Sequence, residues 1–276
     1  RIADVYMMEG VQGQLKEKPQ KSYYVEAIKS YRDILERYPN SPDNAEVFYQ
    51  LAKAYDMEGD QKEALKMLEE LSRRHPSYIN IAEAHFRMGD IYFNYERYVK
   101  AEHAYAKVAQ RLDSKLALNA HYMLGWAYYK QLQYTKALQA FSYVLNTVLA
   151  DKLDYKNLSK AEKPLVEDAL HSISLTLARS GGAEMIGNVE ALANKPYVWM
   201  IYEKLGAYYL EKERFEDSAE TYRLFVRRYP NADQAPSLHK KLIESYITGG
   251  FPLQAIQEKE EYVSYYGIFS KYKGNA

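Results

Sequence analysis

The chain has 276 residues, is 47% hydrophobic, carries 29 tyrosines and no cysteine, and has a mean hydropathy of −0.54. Lys plus Arg and Asp plus Glu number 37 each, so no overall field draws a polyanion and nucleic acid is not an expected partner. Without cysteine there is no disulfide, thiolate nucleophile or thiolate-bound zinc, which suits the cytoplasm or an oxidising compartment, and no apolar run approaches the ~18 residues of a membrane helix.

The sequence begins at Arg1 with neither Met nor a signal-like segment, which points to a fragment or a processed protein. From there one skeleton recurs: a small residue, a tyrosine three positions on, an alanine or serine nine further, then side chains four and seven beyond. Residues 1–40 hold a first copy in Ala27, Tyr31, Ile34 and Pro39, its inter-helix turn lengthened by the Gly- and Lys-containing stretch Glu9 to Lys21. Residues 41–78 give Ala52, Tyr55, Ala64, Leu68 and Leu71; residues 79–114 give Gly89, Tyr92, Ala101, Tyr105 and Val108. In 115–150 the set is Gly125, Tyr128, Ala137, Phe141 and Val144. A polar, irregular connection is expected over 150–163, then a degenerate copy over 164–195 with a sharp turn at Ser180-Gly181-Gly182 before a short second helix. Residues 196–232 restore the pattern as Gly206, Tyr209, Ser218, Tyr222 and Phe225, and 233–270 carry the weaker Ile243, Tyr246, Ala255, Lys259 and Tyr262.

Spacings of three, four and seven put the apolar residues on one helix face, and each unit implies two helices. Gly59-Asp60 marks the break between them, with Glu63 placed as a capping-box partner of Asp60. Pro39, Pro76 and Pro230 end repeats, because proline cannot continue a helix.

At these residues the chain resembles the tetratricopeptide repeat (TPR) family of helix-turn-helix units. The resemblance implies an all-α fold: a right-handed superhelical solenoid of antiparallel helix pairs, about seven repeats with one degenerate, forming a single domain over 1–276. In that family the small residue lets the paired helix approach closely and the aromatic fills the gap between repeats. The segments Arg37-Tyr38-Pro39-Asn40-Ser41-Pro42 and Arg228-Tyr229-Pro230-Asn231-Ala232-Asp233 resemble repeat junctions of bacterial cell-envelope members, such as the lipoprotein of the outer-membrane β-barrel assembly machine and the periplasmic Tol-Pal coordinator. A periplasmic or cell-envelope location follows as an expectation, with the cytoplasm left open.

Candidate chemistry yields to packing. His85, His121 and His239 each sit seven residues before an anchor tyrosine, the slot of Phe48 and Tyr202 in sister repeats, and so read as packing residues; no histidine has zinc-site spacing. Acidic pairs such as Glu69-Glu70 lie among lysines and arginines on predicted helices, as solvated faces do. Gly181-Gly182 lacks a phosphate-loop context and no serine sits in a nucleophile-elbow pattern, so no catalytic residue, cofactor site or metal site is assigned. An enzymatic site around His171 and Ser180 to Gly182 is the least favoured reading.

What remains is the face the repeat does not consume. In the resembled fold the first helices line a concave groove, at slots nine, six and two residues before the anchor tyrosine and one and two after it. These slots hold Glu46, Tyr49, Lys53, Asp56 and Met57; Glu83, Phe86, Asp90, Phe93 and Asn94; and Asn119, Tyr122, Trp126, Tyr129 and Lys130. Tyr49, Lys53, Phe86, Asp90, Phe93, Tyr122, Trp126, Tyr129 and Lys130 are the expected partner-binding residues, since aromatic anchors dominate peptide interfaces. The expected function is a non-catalytic scaffold for a protein or peptide partner of unknown identity. The lysine and asparagine clamp of the family's chaperone-tail readers is missing from the corresponding slots. A second reading is a spacer or oligomerisation module, with self-association through the aromatic end Tyr262, Tyr265, Tyr266, Ile268 and Phe269.

Overall fold

A computed structural model describes residues 4, 7–8, 21–111, 116–149, 158–160, 162–268, 270 and 272. The stretch from Glu9 to Gln20 and most of the 150–163 connection, with Phe269, lie outside the described residues. Among the described residues there are thirteen helices and no strand. They are α1 (Lys21–Arg37), α2 (Asn44–Met57), α3 (Gln61–Arg74), α4 (Ile81–Asn94), α5 (Tyr98–Ala109), α6 (Ala117–Lys130), α7 (Tyr134–Leu149), α8 (Glu162–Ser180), α9 (Glu184–Asn188), α10 (Val198–Glu211), α11 (Phe215–Arg228), α12 (Ala235–Thr248) and α13 (Pro252–Tyr266). They group into two compact units, residues 1–120 and 121–276. In the first, α1 packs on α2, α2 on α3, α3 on α4 and α4 on α5; in the second, α8 packs on α7, α9 and α10, and α10 through α13 pack in succession.

One backbone device explains the skeleton. Four residues after each anchor tyrosine the chain enters the left-handed region, at Gly59, Glu96, Leu132, Glu213 and Gly250, with φ of 83°, 58°, 61°, 57° and 78°. The next residue's N–H then donates back to the tyrosine carbonyl: Asp60 to Tyr55 at 2.8 Å, Arg97 to Tyr92 at 2.8 Å, Gln133 to Tyr128 at 3.0 Å, Arg214 to Tyr209 at 2.9 Å and Phe251 to Tyr246 at 2.9 Å. The left-handed residue bonds three back, as Gly59 does to Asp56 at 3.0 Å, which completes a Schellman motif at every turn. The residue that closes the motif also starts the next helix, and its carbonyl accepts from the alanine or serine four residues on, as in Ala64 to Asp60 and Ser218 to Arg214, both at 3.0 Å. Five residues of turn and four of helix therefore make the nine-residue step from tyrosine to alanine.

The small residue has an equally local cause. A Cβ added to Gly89 would lie 2.5 Å from the ring of Tyr105, and one on Gly125 would lie 2.5 Å from the ring of Phe141; Gly206 meets Tyr222 in the same way. Each ring comes from the second helix of the same repeat, so glycine marks the repeats whose partner is aromatic. Where the partner is Leu68 the slot holds Ala52, and in the last repeat, where the partner is Lys259, it holds Ile243. Ser218, in the alanine slot, is fully buried and donates at 2.8 Å to the Gly206 carbonyl.

Caps partly follow expectation. The Asp60 carboxylate accepts from the Glu63 N–H at 3.1 Å, while Glu63 pairs with Lys66 at 3.6 Å. The reciprocal capping box stands at the start of α8, where the Ser159 N–H donates to Glu162 at 2.9 Å and the Glu162 N–H to Ser159 Oγ at 3.2 Å. Gly181 and Gly182, at φ of 130° and 69°, make the sharp turn before the five-residue α9. Pro39, Pro76 and Pro230 lie between helices as expected.

Candidate functional site

The histidines at the shared slot are packing residues. His85 is buried and bonds Ser72 Oγ at 2.8 Å; burial, then the charges of Lys107 and Arg111, push its ring down to about 4. His121 stacks on Tyr143 with centroids 3.6 Å apart. His239, 1% exposed, bonds Glu258 at 3.1 Å and meets Tyr262 and Tyr266 edge-on.

In the first unit, Glu46, Gln50, Lys53 and Met57 form one stripe of α2, at successive spacings of four, three and four residues. They line a cavity of about 530 Å³ whose other walls are Asp4, Met7, Met8 and Tyr31. Lys53 also borders a second cavity of about 170 Å³, with Ala52 and Asp56 of α2, Gln61, Ala64 and Leu68 of α3, and Arg87, Asp90, Ile91 and Asn94 of α4. Arg87 and Asp90 in turn border a third, of about 590 Å³, with Ile79, Asn80, Ala82, Glu83, Phe86 and Leu116. Shared side chains, Lys53 and then Arg87 with Asp90, make the three a row of adjoining cavities beside the first helices, a first-helix channel in this sense alone.

Its polar groups are interlocked. Arg87 sits 3.7 Å from Asp56 and 3.0 Å from Glu83. Burial works against a charge on Glu83, but hydrogen bonding to Tyr49 and Arg87 holds its carboxyl below the usual range. Glu46 accepts from Gln50 and from the Tyr78 hydroxyl, each at 2.7 Å, and burial together with that bond pushes the Tyr78 hydroxyl up to about 12. Asp90 accepts from the Tyr105 hydroxyl at 2.7 Å, yet burial raises its carboxyl above the ordinary value. Phe86 meets the same Tyr105 ring edge-on at 5.5 Å.

Two expected groove residues of this unit are placed differently. Tyr49 is 4% exposed: its ring packs 5.7 Å from that of Tyr78, with the Lys53 ammonium 5.6 Å from its centroid. It does not present a free ring, because the turn after α3 folds Tyr78 over it. Phe93 is half-buried edge-on against Tyr98 at 5.2 Å, at the helix-pair turn and away from the channel walls. Arg87 and Gln50 were not among the expected residues. They occupy the slot five before the anchor tyrosine, which holds Lys204 and Lys241 in later repeats, so a recurring polar residue there is the signal that identifies them.

In the second unit Tyr122, Trp126 and Tyr129 form one aromatic cluster. Trp126 lies edge-on to Tyr122 at 6.4 Å, to Tyr129 at 5.4 Å and to Phe141 at 5.6 Å, and Tyr129 meets Tyr134 at 5.7 Å. The Tyr122 hydroxyl lies 3.3 Å from Ser172 Oγ on α8, so this ring packs partly against the next helix pair. All three rings are half-buried, and Lys130 at the end of α6 is exposed.

Among the described residues no group of His, Asp and Glu is placed to hold a metal ion, and no helix is long and apolar enough to cross a membrane. Residues 12–112 match the sequence model of the tetratricopeptide repeat protein 21 ARM repeat, and residues 86–146 match a tetratricopeptide repeat model. No curated protein matches the chain. Among solved structures, the crystal structure of the nearly identical TPR-like repeats of a candidate kinesin light chain from Podosopora anserina is similar at a TM-score of 0.50 and 15% identity, covering 77% of this chain and 94% of that one. The protein is thus an all-α array of TPR-like helix pairs, and repeats of this kind generally mediate protein–protein interaction as non-catalytic scaffolds.

Proposed function

We propose that the protein is a non-catalytic scaffold that binds a segment of a partner protein along the first-helix channel of its first unit. The observation that carries this reading is the convergence of Glu46, Lys53, Asp56, Met57, Glu83, Phe86, Asp90 and Asn94, all at slots the repeat leaves unused, on three adjoining cavities. The half-exposed Phe86 ring beside Arg87 and Asp90 suits recognition, because a few well-packed anchors supply most of the binding energy. In the second unit the Trp126 cluster supplies a further aromatic surface, with Trp126 and Tyr129 as its contact residues. Capture of partners from a lysate by the protein carrying Met57→Ala and Phe86→Ala should fall at least ~10-fold, as for loss of two interface anchors. Val99→Ala, on the exposed side of α5, should capture normally. Equal capture by all three proteins would refute the reading.

The tyrosine-proline junctions support a bacterial cell-envelope setting as part of this proposal, and fractionation of the source cells tests it. Self-association is the second reading. Leu253, Ile256 and Val263 are exposed along one face of α13, and Tyr265 and Ile268 are exposed near its end, an apolar surface that suits another copy. Light scattering after size exclusion decides: a monomer at every concentration excludes it.

A further inference from the structure

We propose that the occupant of the first-unit channel is a basic amphipathic segment of a protein, with an apolar side chain between Met8 and Met57 and lysine or arginine side chains reaching Glu46 and Asp90. The inference rests on the channel reading above and adds the chemistry of the partner. Charge complementarity argues for it: the α2 and α4 walls bring Glu46, Asp56, Glu83 and Asp90 together against only Lys53 and Arg87. Arg87 is already committed to Asp56 and Glu83. Glu46 and Asp90 take their hydrogen bonds from neutral donors, Gln50, Tyr78 and Tyr105.

An acidic segment would meet like charge here, and a neutral one would cover carboxylates without pairing them; both are disfavoured. In the same cavity as Glu46, Met7, Met8 and Met57 supply an apolar part of the wall. Methionine is flexible and polarisable, and Met8 and Met57 are exposed, so they can adapt to an apolar anchor without fixing its shape. From Glu46 to Met57 the α2 stripe covers about 16 Å of helix, which an extended segment spans in about five residues.

Selection of random peptides of about 12 residues on the full chain tests this, the best binders being synthesised with a fluorescein label and titrated by anisotropy. Selected sequences should be rich in Lys and Arg beside an apolar residue. Glu46→Gln with Asp90→Asn, which keeps acceptors for Tyr78 and Tyr105, should weaken them at least ~10-fold, and raising NaCl from about 50 to 300 mM should weaken the native protein more than this variant. Circular dichroism verifies that the variants fold. If the selected peptides are acidic or uncharged, or bind the amide variant as tightly, the basic-segment assignment is overturned. The channel reading then survives only if Met57→Ala with Phe86→Ala abolishes their binding; unchanged binding by that variant overturns both.

Discussion

Leu132 sits in the left-handed region at φ 61° and is 71% exposed, so its side chain contributes little to offset the strain of its backbone. A left-handed L-residue costs about 1–2 kcal/mol, while glycine adopts that conformation freely at a smaller cost in chain entropy. Leu132→Gly should therefore raise stability by about 0.5–1 kcal/mol in urea denaturation. Gly59 and Gly250 announce the same backbone position in the sequence, whereas Glu96, Leu132 and Glu213 do not. Residue type there is free to vary because the paired Schellman hydrogen bonds, which a sequence does not display, enforce the conformation. His85 adds a pH dependence. Its ring, held near 4 chiefly by burial, stays neutral when the unfolded ring, at 6.5, already takes a proton. The unfolded state then binds more protons, so this contribution is complete above about pH 6.5 and is lost as pH falls toward 4. Urea midpoints should decline between these pH values, and less steeply in His85→Phe, which places the residue of the sister slot at Phe48.

The last helix, α13, is fastened by a charge cluster where α5, α7 and α11 use the small residues Ala104, Ala140 and Thr221. Glu258 is 5% exposed in the slot that Ala104 and Ala140 fill elsewhere. Arg223 of α11 bonds it at 2.5 Å and His239 of α12 at 3.1 Å, while Arg223 also reaches the Tyr246 hydroxyl at 2.8 Å. Removing one partner of a buried pair strands the others, but Arg223 keeps Glu220 at 2.7 Å, which softens the loss. Glu258→Ala should destabilise by about 2–3 kcal/mol and speed amide exchange selectively in α13; uniform exchange across α11 to α13 would contradict this role. Helix positions and their spacing were legible because five helix pairs repeat the same turn. The fate of individual slots was less so, and Tyr49 shows why: a slot rule counts along one helix, whereas Tyr78, which covers it, arrives from the turn after α3. Asp90 and Phe86 occupy expected slots, but their common support, Tyr105, became visible only in the packed pair.

At the scale of the molecule, the same repeat that builds the fold leaves a defined set of side chains outside its packing scheme. In the first unit these line three adjoining cavities, with methionines in the first and carboxylates in all three. Composition gave no hint of this, since 37 basic and 37 acidic residues cancel over the chain while the local balance in the channel is acidic. The most direct measurement is photo-crosslinking in lysate with benzoylphenylalanine at Met57, on the channel, and at Val99, also exposed, on α5. A discrete crosslinked partner at position 57, absent at position 99 and lost when Glu46→Gln and Asp90→Asn are added, is the predicted result. Crosslinking at position 99 alone, or equally at both positions, would contradict a partner-binding channel on the first helices.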